Sequence, residues 1–136
     1  MVKRRVYVAF DYDDLGVKQN LIEESRRPDC PWEFVDNSIS AAIQDRWAAE
    51  ARRLIQASEC VIILCGEQTH QAKGVATELR LAQELHKPHF FLSGTRRGVP
   101  TKPTHARDGD KIWTYRWPTV LTLLGGGTPP SDAAVR

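Results

Sequence analysis

Residues 61–65 (VIILC) constrain the fold of this chain more than any other segment. The run is uninterrupted, branched and without polar alternation, which is the pattern of a central strand buried on both faces. A strand of that kind needs helices above and below it. The flanking sequence supplies them, because short apolar runs alternate with amphipathic segments of ten or more residues, the signature of βαβ units around a parallel sheet.

Residues 6–10 (VYVAF) read as the first strand, and Leu15–Ser25 as a helix carrying Val17, Leu21 and Ile22 before the turn cluster RRPDCP. Trp32–Val35 is a shorter second strand, and the DNSIS behind it has the N-cap chemistry to open a helix over about 41–57, with Ile43, Trp47 and Leu54 on one face. Gly66 ends the central strand, EQTHQAKG follows, and a helix is expected over 72–86. Residues 88–92 (PHFFL) and 112–115 supply two further strands, with a short helix near 118–124. The expected fold is a flavodoxin-like three-layer α/β sandwich around a central parallel five-stranded sheet, spanning 1–124 as one domain. The stretch 93–110, with three Gly, two Pro and the basic residues Arg96, Arg97, Lys102 and Arg107, reads as a long solubilising loop. Residues 125–136 have a linker composition and are expected to be a disordered tail.

Composition and motifs narrow the function. The 136 residues carry a net charge of +2 with both signs interspersed, which argues against a nucleic-acid binder steered by bulk charge. The apolar run near the N-terminus is too short for a signal peptide core or a membrane span. Three cysteines (Cys30, Cys60, Cys65) form neither CxxC nor a zinc-ligand spacing, so a cytoplasmic protein with buried thiols, no disulfide and no metal is expected. No GxGxxG follows the first strand, no P-loop occurs, and no GxSxG or Cys-His arrangement supports an acyl-transfer nucleophile. The acids Asp11, Asp13 and Asp14 resemble a receiver-domain cluster, but Cys65-Gly66 occupies the place a phosphorylatable Asp would need.

Glu78 stands out. On the 72–86 helix, Val75, Leu79, Ala82 and Leu85 fall on one side of the wheel, and Glu78 projects between Ala82 and Leu85. A carboxylate on a core-facing stripe must be paired, protonated or kept for chemistry. Arg80, His86 or an arginine from another loop are the candidate partners. Ligands of open parallel sheets bind at the carboxyl ends of the strands. Those loops hold Phe10, Asp11 and Asp13 after the first strand, Asp36 and Ser38 after the second, and Thr69 and His70 after the third. Such a mixture suits a sugar or nucleotide better than a bare phosphate. Each residue also has a plainer reading: Asp36 and Ser38 as helix caps, His70 as a solvated loop histidine, Trp113 and Trp117 as core edge.

Four segments in order carry a resemblance: VYVAFD at 6–11, FVDNS at 34–38, IQASECVIILCG at 55–66, and the block from Thr69 through Val75, Glu78, Leu79 and Ala82. Together they resemble the TIR-like domains of bacterial Thoeris-type defence proteins (the ThsB type), short relatives of Toll/interleukin-1 receptor domains. The resemblance spans about two thirds of the chain. One departure is Gly74, where family members often carry Trp.

The resemblance implies a flavodoxin-like fold and an activity that cleaves the nicotinamide–ribose bond of NAD+, a substrate rather than a cofactor, in antiviral signalling. It implies self-association and a downstream effector protein, while charge and hydropathy lead to the expectation of neither nucleic acid nor membrane as partner. By position it gives Glu78 the catalytic place at the ribose, and Phe10, Asp11 and Ser38 the rim of the cleft. In that scheme Phe10 stacks on the leaving ring. Two alternatives stand beside it: a catalytically silent TIR-like interaction module, and a nucleoside 2-deoxyribosyltransferase-like enzyme that uses a Glu nucleophile.

Overall fold

The computed structural model describes residues 3–11, 15–35, 44–95 and 98–135. Strand β1 (Arg4–Ala9) leads to helix α1 (Leu15–Ser25), then β2 (Trp32–Val35), α2 (Gln44–Gln56), β3 (Cys60–Cys65), α3 (Lys73–Glu84), β4 (His89–Ser93), β5 (Ile112–Trp113) and α4 (Trp117–Leu124). Among the described residues the strands form one all-parallel sheet in the order β2-β1-β3-β4-β5. This is the flavodoxin-like α/β sandwich expected from the sequence.

Alternation along the strands explains the layers. Val6 and Val8 of β1, Ile62 and Leu64 of β3, and Phe90 and Leu92 of β4 face one way, against Leu21 and Ile22 of α1 and Val120 and Leu124 of α4. Tyr7 and Ala9, Val61, Ile63 and Cys65, and Phe91 face the other way, against Ala51 and Ile55 of α2 and Val75, Leu79 and Ala82 of α3. All six β3 residues are buried. Each large aliphatic side chain among them contributes about 1.5–3 kcal/mol through removal from water. That burial makes β3 the centre of the fold.

On α2 the stripe is only partly as expected: Ala51 and Ile55 are fully buried, Leu54 packs at the edge of the cluster, and Ile43 lies outside the described residues. On α1, Lys18 joins Leu21 and Ile22 on the buried side. Its place three residues before Leu21 and four before Ile22 puts it on the apolar stripe.

Two segments are better ordered than their composition implies. The tail expected to be disordered folds back through residue 135: Thr114 N donates to Ala133 O (2.8 Å), Val135 N donates to Ile112 O (2.7 Å), and Ala134 bridges Trp113 antiparallel. The reason is physical, since β5 is a short edge strand whose open backbone groups are covered by this pairing. Ala133 and Ala134 also pack against the core.

The 98–110 part of the long loop is likewise structured. The Lys102 ammonium donates to three carbonyl oxygens, those of Arg107 (3.1 Å), Asp108 (3.3 Å) and Asp110 (3.2 Å), while Asp110 accepts from Arg107 N (2.8 Å). A side chain read as solubilising instead gathers its own loop. All three cysteines are buried and free, and burial pushes the Cys60 thiol up to about 12, so it is an inert core group. No helix among the described residues is long and apolar enough to cross a membrane.

Candidate functional site

The strand order reverses between β1 and β3, because β2 is added on one side of β1 whereas β3, β4 and β5 are added on its other side. In open parallel sheets that reversal opens a crevice beyond the carboxyl ends of the two strands. Phe10 and Asp11 emerge from β1 at this point, and Gly66 to Thr69 emerge from β3. Ala9 sits in register with Ile63, which places both exits on one rim.

The turn after β3 is built tightly. Gly66 N donates to the Thr69 hydroxyl (2.7 Å), and Thr69 is 1% exposed, so this hydroxyl shapes the turn. His70 is exposed, and both its backbone N and its ring Nδ1 lie 3.0 Å from the Thr101 hydroxyl oxygen. Thr101 in turn bonds to the carbonyls of Gly66 and Glu67 (3.2 and 3.1 Å) and donates its own N–H to Gly66 O (2.8 Å). Gly98 has a positive φ of 82°, and a Cβ there would collide with the Glu67 side chain. The long loop is therefore fastened to the rim at Gly66, Glu67 and His70.

Glu78 occupies the second turn of α3, one layer below. It is 4% exposed, and its Oε2 accepts a hydrogen bond from the hydroxyl of Tyr7, which is fully buried in β1. Neither of the sequence-neighbour partners is used: Arg80 pairs with Glu84 at 3.7 Å on the surface. Burial pushes the Glu78 carboxyl up to about 8, and the Tyr7 hydroxyl pulls the other way. The group is thus mostly protonated at neutral pH, one of the states that a carboxylate on a core-facing stripe was expected to take. Beside it, the Trp47 ring of α2 lies 3.5 Å from where a Cβ of Gly74 would sit, so an α2 aromatic fills the space next to the small residue at 74.

Of the candidate residues, Phe10, Asp11, Thr69 and His70 are on the carboxyl-end rim, and Glu78 lies beneath it on the α3 side. Asp13, Asp36 and Ser38 lie outside the described residues. Among the described residues no cluster of three or more His, Cys, Asp or Glu is placed to hold a metal ion.

Two participants were missed from the sequence. Tyr7 is separated from Glu78 by 71 positions, and only the pairing of period-2 alternation with the α3 stripe could have joined them. Lys18 is 2% exposed, with its ammonium 4.7 Å from the centroid of the Phe10 ring. Its stripe position was the available signal. In comparison with known proteins, the chain matches no family model and no curated protein.

Proposed function

We propose that the chain is a TIR-like enzyme that cleaves the nicotinamide–ribose bond of NAD+, with Glu78 as the group that stabilises the departing sugar cation. One observation carries this reading: a carboxyl raised to about 8 is enclosed at 4% exposure beneath the switch point of a flavodoxin-like sheet. Nicotinamide leaves a pyridinium as a neutral molecule, so the reaction needs no general acid. Its transition state concentrates positive charge on the ribose, and a nearby carboxylate in a poorly screened site stabilises that charge by about 3–4 kcal/mol.

The raised value fits this chemistry. A cationic substrate beside Glu78 favours the ionised form, so the charge develops where and when the cation is present. The hydroxyl of Tyr7 stays as a donor to the carboxylate. Enclosure also implies that Glu78 must be uncovered before it meets a ribose, and self-association is the event we assign to that step.

A second reading has its own support in the same enclosure. The Tyr7–Glu78 hydrogen bond fastens α3 to β1 and satisfies the carboxyl, as a silent interaction module would require. Release of free nicotinamide from NAD+, measured for the wild type and Glu78→Gln in dilute and crowded solution, separates the two. The enzyme reading expects release that drops at least 100-fold in the variant; equal release, or none under either condition, leaves the interaction module.

A further inference from the structure

We propose that a cavity between the end of α1 and helix α4 is a binding site for a primary alkylammonium group. It is independent of the NAD+ reading. The residues 24–31 that line it close α1 and lead into β2, so they belong to the amino ends of the strands, whereas Phe10, Asp11 and Thr69 stand at the carboxyl ends. The cavity measures about 80 Å³, with Glu24, Arg27, Asp29, Pro31, Trp117 and Leu121 in its lining. One water needs only about 10–15 Å³ of such space, so a short organic group fits.

The lining has an unmet need at one atom. Glu24 Oε2 is shut off from solvent and accepts no hydrogen bond among the described residues. Arg27 Nε stands 3.3 Å from it, close enough for charge attraction but out of line for a hydrogen bond. A buried acceptor of this kind calls for a donor. Burial raises the Tyr115 phenol and the Glu24 anion raises it further, so the field of this carboxylate reaches past Arg27. The Cys30 thiol is already turned to Trp32 O at 3.4 Å.

Charge, donor count and shape select the ligand. Two carboxylates, Glu24 and Asp29, face one guanidinium, which leaves the lining one negative charge in excess and turns anions away. A second guanidinium is poorly matched, because its planar fork wants both oxygens of a carboxylate and only one here lacks a donor. A compact ammonium with three rotatable N–H groups meets that single oxygen. Trp117 and Leu121, one turn apart on α4, and Pro31 offer apolar surface to the alkyl stem behind the charge. A free polyamine and the lysine side chain of a protein share this chemistry.

The test follows backbone amide NMR signals of the full chain during titration with propylammonium. Tetramethylammonium, a cation without N–H, and 1-butanol, a donor without charge, are titrated beside it. The expected result is saturable shifts at 24–30 and 117–121 with propylammonium alone, and binding at least tenfold weaker in Glu24→Gln. Equal response to tetramethylammonium or 1-butanol, unchanged binding in Glu24→Gln, or no saturable shift, which means a cavity that holds water only, overturns the proposal. Should Glu24→Gln fail to fold by circular dichroism, Leu121→Lys replaces it: its own ammonium is expected to fill the cavity and shut out propylammonium, and unaltered binding overturns the proposal. Spermidine and Nα-acetyl-lysine amide then separate the two sources, the tighter of them naming a free polyamine or a protein side chain.

Discussion

The two faces of β1 bury ionisable groups by different means. On the α3 side the Glu78 carboxyl is enclosed among Val75, Leu79 and Ala82 and meets a neutral phenol, so burial shifts it toward its uncharged form. On the α1 side Lys18 is buried to a similar degree, and among its contacts is the Phe10 ring, whose centroid lies 4.7 Å from the ammonium. Similar depth on the two faces thus brings different contacts, a hydrogen-bonding phenol for the carboxyl and an aromatic ring for the ammonium.

The largest expected effect that sharpens this contrast is in stability against pH. The folded state raises Glu78 from 4.5 to about 8, so folding favours the protonated form. That contribution is fully present below pH 4.5 and is lost as the pH rises through 8, on the order of 5 kcal/mol in all. Urea unfolding between pH 5 and 9 should follow this decline in the wild type and flatten in Glu78→Gln. An equally steep curve in the variant would remove Glu78 as the cause.

A smaller effect is expected at its partner. Tyr7→Phe removes the donor to a buried carboxyl and should cost about 1–3 kcal/mol of stability. It should also move the titration further upward, since the Tyr7 hydroxyl is the group that lowers it. Carbon-13 NMR of the carboxyl checks this, and a midpoint that moves down would mean that the phenol favours the neutral form.

The smallest concerns the rim outside both faces. Lys102→Met removes one ammonium from three carbonyls and should cost about 1 kcal/mol, seen as faster hydrogen exchange over 98–110 with the sheet unchanged. Unaltered exchange there would show that the loop is held at Thr101 and Gly98 alone.

What could be read from the sequence depended on how local the signal was. The bounds of α1 and β2 follow from local patterning and turn residues, and the structure keeps them as expected. The five-stranded parallel order follows from one buried β-branched run among amphipathic segments. Burial of Glu78 was legible because four apolar neighbours mark its side of the helix. Its partner was not, because Tyr7 is remote in sequence and looks like an ordinary strand aromatic. Lys18 was passed over since a lysine in a stripe is ordinarily solvated, and its cation–π contact depends on where β1 ends. The tail and the 98–110 loop lack periodicity, and their order comes from backbone pairing, from the Lys102 ammonium and from the bonds of Thr101 to Gly66 and Glu67, none of which composition records.

The most direct test of the Glu78 chemistry is the pH dependence of nicotinamide release from NAD+ between pH 6 and 9, wild type beside Glu78→Gln. If the carboxyl must ionise to meet the sugar cation, kcat/KM of the wild type climbs about tenfold per pH unit and levels near pH 8, while the variant stays low and flat. Release that is the same in both proteins, or that levels near pH 4–5 as for an ordinary carboxylate, contradicts it.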